Sequence, residues 1–207
     1  MFRAGRKLIV SGALIVVTLT AALPAAAQSF SDSYKFLKAV REKDGSIVSE
    51  MAAQPGSMIV NTRDATTLDT ALHIVAERGD TVWVRYFLQK GARVDVRNKR
   101  GETPLILAVN GNHVESVREL IAAGANIDEG NVTGETPLIA AILRRDTVMI
   151  RALLEGGANP DRSDNSGRSA RDYAMLDGAR GIASTEIERF EASSTGEAEQ
   201  PTYGPEF

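Results

Sequence analysis

The side chains from which a reactive site could be assembled are few. The chain carries two histidines, His73 and His113, and no cysteine. A thiolate nucleophile, a disulfide scaffold and a thiolate metal site are therefore all unavailable. No serine stands in a G-x-S-x-G turn, the strained strand-to-helix corner that presents a hydroxyl nucleophile. A metal needs three or four closely placed ligands, and neither histidine has an acidic cluster spaced to complete such a set. Arg78-Gly79-Asp80 spells an adhesion tripeptide, but three letters recur by chance and Gly79 has a turn to make. The glycines recur at fixed positions instead of forming a phosphate-cradling loop, so no nucleotide site is expected either. No catalytic residue, metal or cofactor is assigned, and the chain is read as a non-enzyme.

Stepping from side chains to the elements that hold them, the glycines and threonines share a period. Thr70, Thr103, Thr136 and Ser169 are 33 residues apart, and so are Gly91, Gly124 and Gly157, each followed by alanine. Two independent landmarks with one period indicate stacked units that cover one another's apolar sides. Within a unit, Thr103 suits a helix N-cap and Pro104 the first helical position, where its missing donor does no harm. The pair returns as Thr136 and Pro137. Leu105, Leu107 and Ala108 supply the buried side of a short helix that ends near Asn110 to Asn112. Val117, Leu120 and Ile121 supply a second, closed by Gly124 where a left-handed residue is wanted. The turn between the helices falls at Gly79, Asn112 and Arg145. Arginine tolerates a positive φ less well than the other two, so the third turn is expected to be strained or rearranged.

The repeated motif resembles that of the ankyrin-repeat family. The pattern T-P-L-H-x-A-A is matched by Thr70-Ala71-Leu72-His73-Ile74-Val75-Ala76, by Thr103-Pro104-Leu105-Ile106-Leu107-Ala108-Val109 and by Thr136-Pro137-Leu138-Ile139-Ala140-Ala141-Ile142. The second helix and its exit match over Val84 to Ala92, Val117 to Ala125 and Ile150 to Ala158. Only the first unit keeps the histidine, and it lacks the proline. The resemblance implies an all-α solenoid of stacked helix-turn-helix units with extended finger loops. It also implies that His73 hydrogen-bonds across the repeat turn, that His113 plays a structural part at a second-helix start, and that Trp83 is core.

The expected organisation is a signal peptide over 1–27, a degenerate N-terminal capping repeat over 28–67, and repeats over 68–100, 101–133 and 134–166. A C-terminal capping repeat over 167–190 and a disordered acidic tail over 191–207 complete it. The N-terminal unit carries Phe36, Leu37 and Val40 on one helix and Ile47, Val48 and Met51 on the next, and its link to the first full unit is about one residue longer than the period. The C-terminal cap rests on Ser169-Ala170-Arg171-Asp172-Tyr173-Ala174, with Ile182 and Ile187 as apolar contacts.

The leader reading rests on Arg3, Arg6 and Lys7, an apolar run from Leu8 to Leu23, Pro24 and three alanines. These are the parts of a secretory signal, with cleavage expected between Ala27 and Gln28. The destination is read as the periplasm of a bacterium, with secretion, or an inner-membrane anchor through an uncleaved Leu8 to Ala27, as the alternatives. Without the leader, 21 basic residues face 27 acidic ones, a net charge of about −6. Such a balance disfavours nucleic acid, which selects an excess of Lys and Arg, and after cleavage no membrane contact is expected.

Function then falls to the surface. In the resembled family the fingertips and inner helices form a concave face that binds proteins. The corresponding residues here are Glu77, Arg78, Arg97, Lys99, Arg100, Glu102, Asn110, Val132, Glu135, Leu143, Arg144 and Arg168. The tip with Arg97, Lys99 and Arg100 is the densest basic patch and suits an acidic protein partner. Leu143 is an apolar residue at a position normally exposed, hence a contact candidate. The reading is a monomeric, exported interaction module that binds or regulates a partner. A structural or protective scaffold in an envelope assembly is the alternative.

Overall fold

A computed structural model of the chain describes residues 25–54, 58–176 and 181–194. The bulk of the leader segment, residues 1–24, and the last thirteen positions, 195–207, lie outside them. Five helix pairs follow one another: α1 (Ala25–Glu42) with α2 (Gly45–Ala52), α3 (Ala71–Arg78) with α4 (Thr81–Gln89), α5 (Pro104–Asn110) with α6 (Val114–Ala122), α7 (Pro137–Leu143) with α8 (Thr147–Glu155), and α9 (Ala170–Leu176) with α10 (Ile182–Ser194). A short 3-10 turn at Ile59–Asn61 lies between the first two pairs. Odd helices pack on odd helices and, from α4 onward, even on even, which gives two stacked layers. Among the described residues there is no β-strand, only an isolated bridge between Ser163 and Ser169. No described helix is long and apolar enough to cross a membrane.

The caps explain why the inner helices start where they do. Thr103 Oγ1 accepts from Ile106 N at 3.3 Å and Thr136 Oγ1 from Ile139 N at 3.3 Å, each with proline at the first helical position. Where the proline is missing, a polar residue three positions on completes the cap instead. His73 Nδ1 accepts from Thr70 N at 3.1 Å, and Asp172 Oδ2 accepts from Ser169 N at 2.8 Å. Both are reciprocal capping arrangements that satisfy an otherwise orphaned donor at the helix start.

The turn within each pair is conserved in geometry. Gly79, Asn112 and Arg145 have φ of 75°, 58° and 59°, and Lys43 in the N-terminal unit has 62°. The third turn is thus strained but not rearranged, with arginine held in a left-handed conformation that costs an L-residue roughly 1–2 kcal/mol. The finger loops are equally regular. Asn98, Asn131 and Asp164, 33 residues apart, each accept two backbone N–H bonds through Oδ1, from the residues two and four positions on. Each also donates its own N–H to the carbonyl four residues later, whereas Asp64 N reaches Asp69 O, one position further. This is the longer first link, and it places Leu68 at φ 60° where the later fingers have Gly101, Gly134 and Gly167.

One apolar core runs through the stack, from Phe36 and Val40 through Leu72, Val84, Leu105, Leu120, Leu138 and Leu153 to Ala174 and Ile187. Trp83 departs from its expected place, because it is half-buried at the rim of that core. Its ring meets Tyr86 edge-on with centroids 5.2 Å apart and Phe87 at 5.7 Å. A Cβ added at Gly45 would come within 3.2 Å of it, so the indole lies against the N-terminal unit at this small residue. At the other end α10 runs to Ser194, past the expected boundary at Phe190. Arg171 explains the extension, since its Nη2 bonds Glu191 Oε1 at 2.5 Å and its Nε bonds Asp161 at 2.8 Å.

Candidate protein-binding face

The odd helices and the finger hairpins share one side of the stack, and the fate of its charges separates free surface from structure. Three side chains there pin neighbouring units together. Arg78 Nη1, at the end of α3, donates to Val40 O at 3.0 Å, and its Nε pairs with Asp80. Arg144, one residue past the end of α7, donates from Nη1 to Asn110 O at 2.7 Å and Val109 O at 3.1 Å, and from Nη2 to Asn110 Oδ1 at 2.8 Å. The intervening unit has glycine at this position, Gly111, and there His113 donates from Nε2 to Glu77 O at 3.1 Å. The last carbonyls of α1, α3 and α5 are thereby each satisfied from the next unit, as exposed helix C-termini require. Arg78, Arg144 and Asn110 are consequently part of the scaffold.

The basic fingertip is largely neutralised as well. Arg97 pairs with Glu129 through Nε and Nη2, donates to Gly130 O at 2.8 Å and to Gly101 O at 2.5 Å. Arg100 Nε bonds Glu102 Oε2 at 2.6 Å, a hydrogen bond that raises the guanidinium pKa above its ordinary value. Its Nη2 lies 3.7 Å from Glu77. Lys99 remains exposed with no side-chain partner among the described residues. The expected basic docking site at this tip is therefore reduced to a single uncommitted cation, because Glu77, Glu102 and Glu129 stand beside the arginines.

The histidines resolve differently from a reactive pair. His73 is fully buried. Its Nδ1 accepts from Thr70 N and, at 2.8 Å, from the Thr70 hydroxyl, which leaves Nε2 to donate to Glu102 O at 3.2 Å in the next finger. Burial pushes its pKa below the ordinary histidine value, since the protonated form would lose hydration. His113 is wedged between two turns, within 2.6 Å of where a Cβ on Gly79 or Gly111 would sit. Among the described residues, no three His, Asp, Glu or Cys side chains converge on a point.

What stays open is apolar and lies toward the C-terminal end. Val132 is 69% and Leu143 56% exposed. They face a groove of about 550 Å³ between the fingers at 132–135 and 164–166, lined also by Glu135, Ile139 and Tyr173. Tyr173, which the sequence did not single out as a site residue, donates from its hydroxyl to Asp164 Oδ2 at 2.7 Å. Arg168 lies over the Tyr173 ring, 6.0 Å from its centroid, with no ion pair. Asp164 is held to a pKa of about 2, first by the Ser166 hydroxyl and then by Tyr173. Leu143 and Tyr173 also border a second hollow of about 200 Å³ with Ile142, Leu176 and Ile182. Of the twelve residues expected on the binding face, the structure gathers Val132, Glu135 and Leu143 at one groove and puts Arg144 and Arg168 at its margins. Glu77, Arg97, Arg100 and Glu102 form a self-paired cluster nearer the N-terminal end.

Comparison with known proteins agrees with this architecture. A family model described as ankyrin repeats (3 copies) matches residues 36–131 and 110–185. The chain is similar to the Ankyrin repeat and KH domain-containing protein mask-1 of Caenorhabditis elegans, 50% identical over 52 residues, which is 25% of this chain and 2% of that protein. It is also similar to an Ankyrin repeat and KH domain-containing protein of Caenorhabditis briggsae, 39% identical over 70 residues, 34% of this chain and 2% of that one. The matched stretches thus cover a small fraction of either curated relative, and the likeness extends to the repeats alone. With a 33-residue period, five stacked helix pairs and a family match across most of the chain, the protein belongs to the ankyrin-repeat family, whose repeats generally mediate protein–protein interaction.

Proposed function

We propose that this chain is an exported interaction module that holds a partner protein through the C-terminal half of its concave face. The observation that carries the reading is the exposed pair Val132 and Leu143 above the 550 Å³ groove. Two large apolar side chains stand free there while the charges around the opposite fingertip are paired internally. Exposed apolar side chains gathered at a concavity mark a contact surface, with the aromatic at its centre the expected anchor. The scaffold supports a rigid mode of recognition. Its caps, pins and finger hydrogen bonds exist without a ligand, so little ordering accompanies binding. Export is supported by the leader-like residues 1–27 and would place the module in a periplasm.

The test is cross-linking in cells followed by mass spectrometry, comparing the native chain with Leu143→Glu and Val132→Glu. Both positions are exposed, so the substitutions leave the fold intact. A partner captured by the native chain and lost from both variants supports the groove. Equal capture by all three would show that the partner sits elsewhere. Sequencing the mature N-terminus tests export separately, and a start at Gln28 is the expected result.

A further inference from the structure

Resting on that reading of the concave face, we propose that residues 195–207 of the chain itself occupy the C-terminal groove in cis, covering the surface on which the partner docks. The first argument is place. The last described helix ends at Ser194, and Glu191, one turn earlier, is bonded to Arg171. Arg171 is two residues from Tyr173, which lines both the 550 Å³ groove and the adjoining 200 Å³ hollow. The segment that follows therefore leaves the stack beside one wall of the groove. Residues 195 to 203 span up to about 30 Å when extended, several times the roughly 10 Å width of the helix they would have to pass.

The second argument is chemistry. Residues 195–207 read TGEAEQPTYGPEF, with Glu197, Glu199 and Glu206, no lysine or arginine, and two aromatic side chains, Tyr203 and Phe207. Pro201 and Pro205 favour an extended backbone without internal hydrogen bonds, the form in which a peptide lies along an aromatic-lined groove. The groove offers two adjoining hollows for two aromatics. Its margins carry Arg144, whose printed bonds all go to amide oxygens of α5, and Arg168, which stacks on Tyr173. Neither forms an ion pair among the described residues. Of the two acids lining the groove, Asp164 is bonded to Ser166 and Tyr173, and Glu135 is the exception to an otherwise cationic margin. Acidic residues bearing aromatics thus meet arginines without carboxylates, and the partner competes with this segment for the same floor.

The experiment uses the full chain with a benzophenone amino acid in place of Tyr203, irradiated and mapped by peptide mass spectrometry. The expected product is an intramolecular cross-link to the segment 132–143 or 164–176. Its yield should not depend on protein concentration and should fall severalfold when Leu143→Glu and Arg168→Glu are added. Cross-links confined to other segments, or none, would overturn the proposal. A cross-linked dimer that grows with concentration would overturn it in favour of a second copy as occupant. The full chain with Tyr203→Ser and Phe207→Ser should capture its partner more tightly. A segment that covers the groove two-thirds of the time weakens the partner's apparent affinity about threefold, and the substitutions remove that factor. The two readings fail separately. Cross-linking to the groove together with partner capture insensitive to Leu143→Glu would remove the groove as the partner's site and leave the cis contact standing. The converse result would leave the partner site and remove the cis contact.

Discussion

His73→Ile gives the sharpest test of how the units are held together. Isoleucine is the residue at the equivalent position of the next two units, Ile106 and Ile139, where proline follows the cap threonine. In the first unit Ala71 replaces that proline, and the ring of His73 accepts the Thr70 N–H at 3.1 Å. The variant orphans this donor beside a threonine that is only 2% exposed. The acceptor on the other side is less affected, because Glu102 O also takes Asn98 N at 2.9 Å. One buried unsatisfied donor costs about 1–3 kcal/mol, a large share of a typical 5–15 kcal/mol total. Isoleucine fills most of the space, so no cavity cost of the alanine kind is added.

The same substitution carries a second signature in pH. Burial lowers the folded-state pKa of His73 below 6.5, so the unfolded chain binds its proton first as the pH falls. Its contribution to stability is therefore full above about 6.5 and declines as the pH drops towards the folded value. If the ring stays neutral in the fold, the loss between pH 7 and pH 5.5 reaches at most about 1.3 kcal/mol. Urea unfolding followed by circular dichroism at both pH values measures it. The native chain should exceed the variant by about 1–3 kcal/mol at pH 7, with the gap narrowing at pH 5.5. A variant as stable as the native chain at pH 7, or a gap indifferent to pH, would refute the account of the cap.

Three further outcomes follow from the turns, fingers and outer layer. Gly79→Ala should be far more damaging than Gly124→Ala. Both sit at positive φ, 75° and 85°, but a Cβ at Gly79 meets the His113 ring at 2.4 Å while nothing lies within 4 Å at Gly124; thermal melts should therefore show roughly the 1 kcal/mol left-handed cost alone for Gly124→Ala. Asp64 and Asp164 are both held to about 2, the first mainly by the Thr67 and Thr66 N–H groups and the second by the Ser166 hydroxyl. Their stabilisation is complete above an unfolded value near 4 and lost as the pH falls through 2, so the melting temperature should drop over that window, and a flat profile there would contradict the finger geometry. On the outer layer Arg85, Arg118 and Arg151, 33 residues apart, reach Glu119, Glu155 and Glu186 in the following helix. Glu186 is the least exposed of the three acids, so Arg151→Ala should lower the urea midpoint more than Arg85→Ala or Arg118→Ala, and an equal response from all three would count against this ranking.

The periodic features were legible because each depends only on local backbone needs. A threonine before proline and a glycine after the second helix mark the same places in every unit, and the structure puts caps and left-handed residues there. The finger asparagines were equally available, since Asn98, Asn131 and Asp164 obey the same spacing, yet their role needed the loop's closure to become visible. The end of the C-terminal cap was misplaced for a related reason. Glu191 belongs to a composition that looks solvated, and only its contact with Arg171 reveals that the helix continues. Trp83 reads as core by hydropathy, and its exposure follows from the position of the α2 start near Gly45.

The arginines mark where sequence reasoning about function runs out. An arginine at a variable position is read as available charge, but the partners that neutralise Arg97 and Arg144 lie 32 and 34 residues away in the chain. Because those separations are close to one repeat, the stacking that builds the fold also brings each guanidinium onto an acid or a carbonyl of its neighbour. The exposed apolar side chains escape this cancellation, since a leucine needs no partner and the core is already full without Leu143. In a repeat stack of this kind, free apolar residues on the inner helices are thus better markers of a binding surface than charges at the fingertips, and the groove beneath Val132 and Leu143 is where that argument leads.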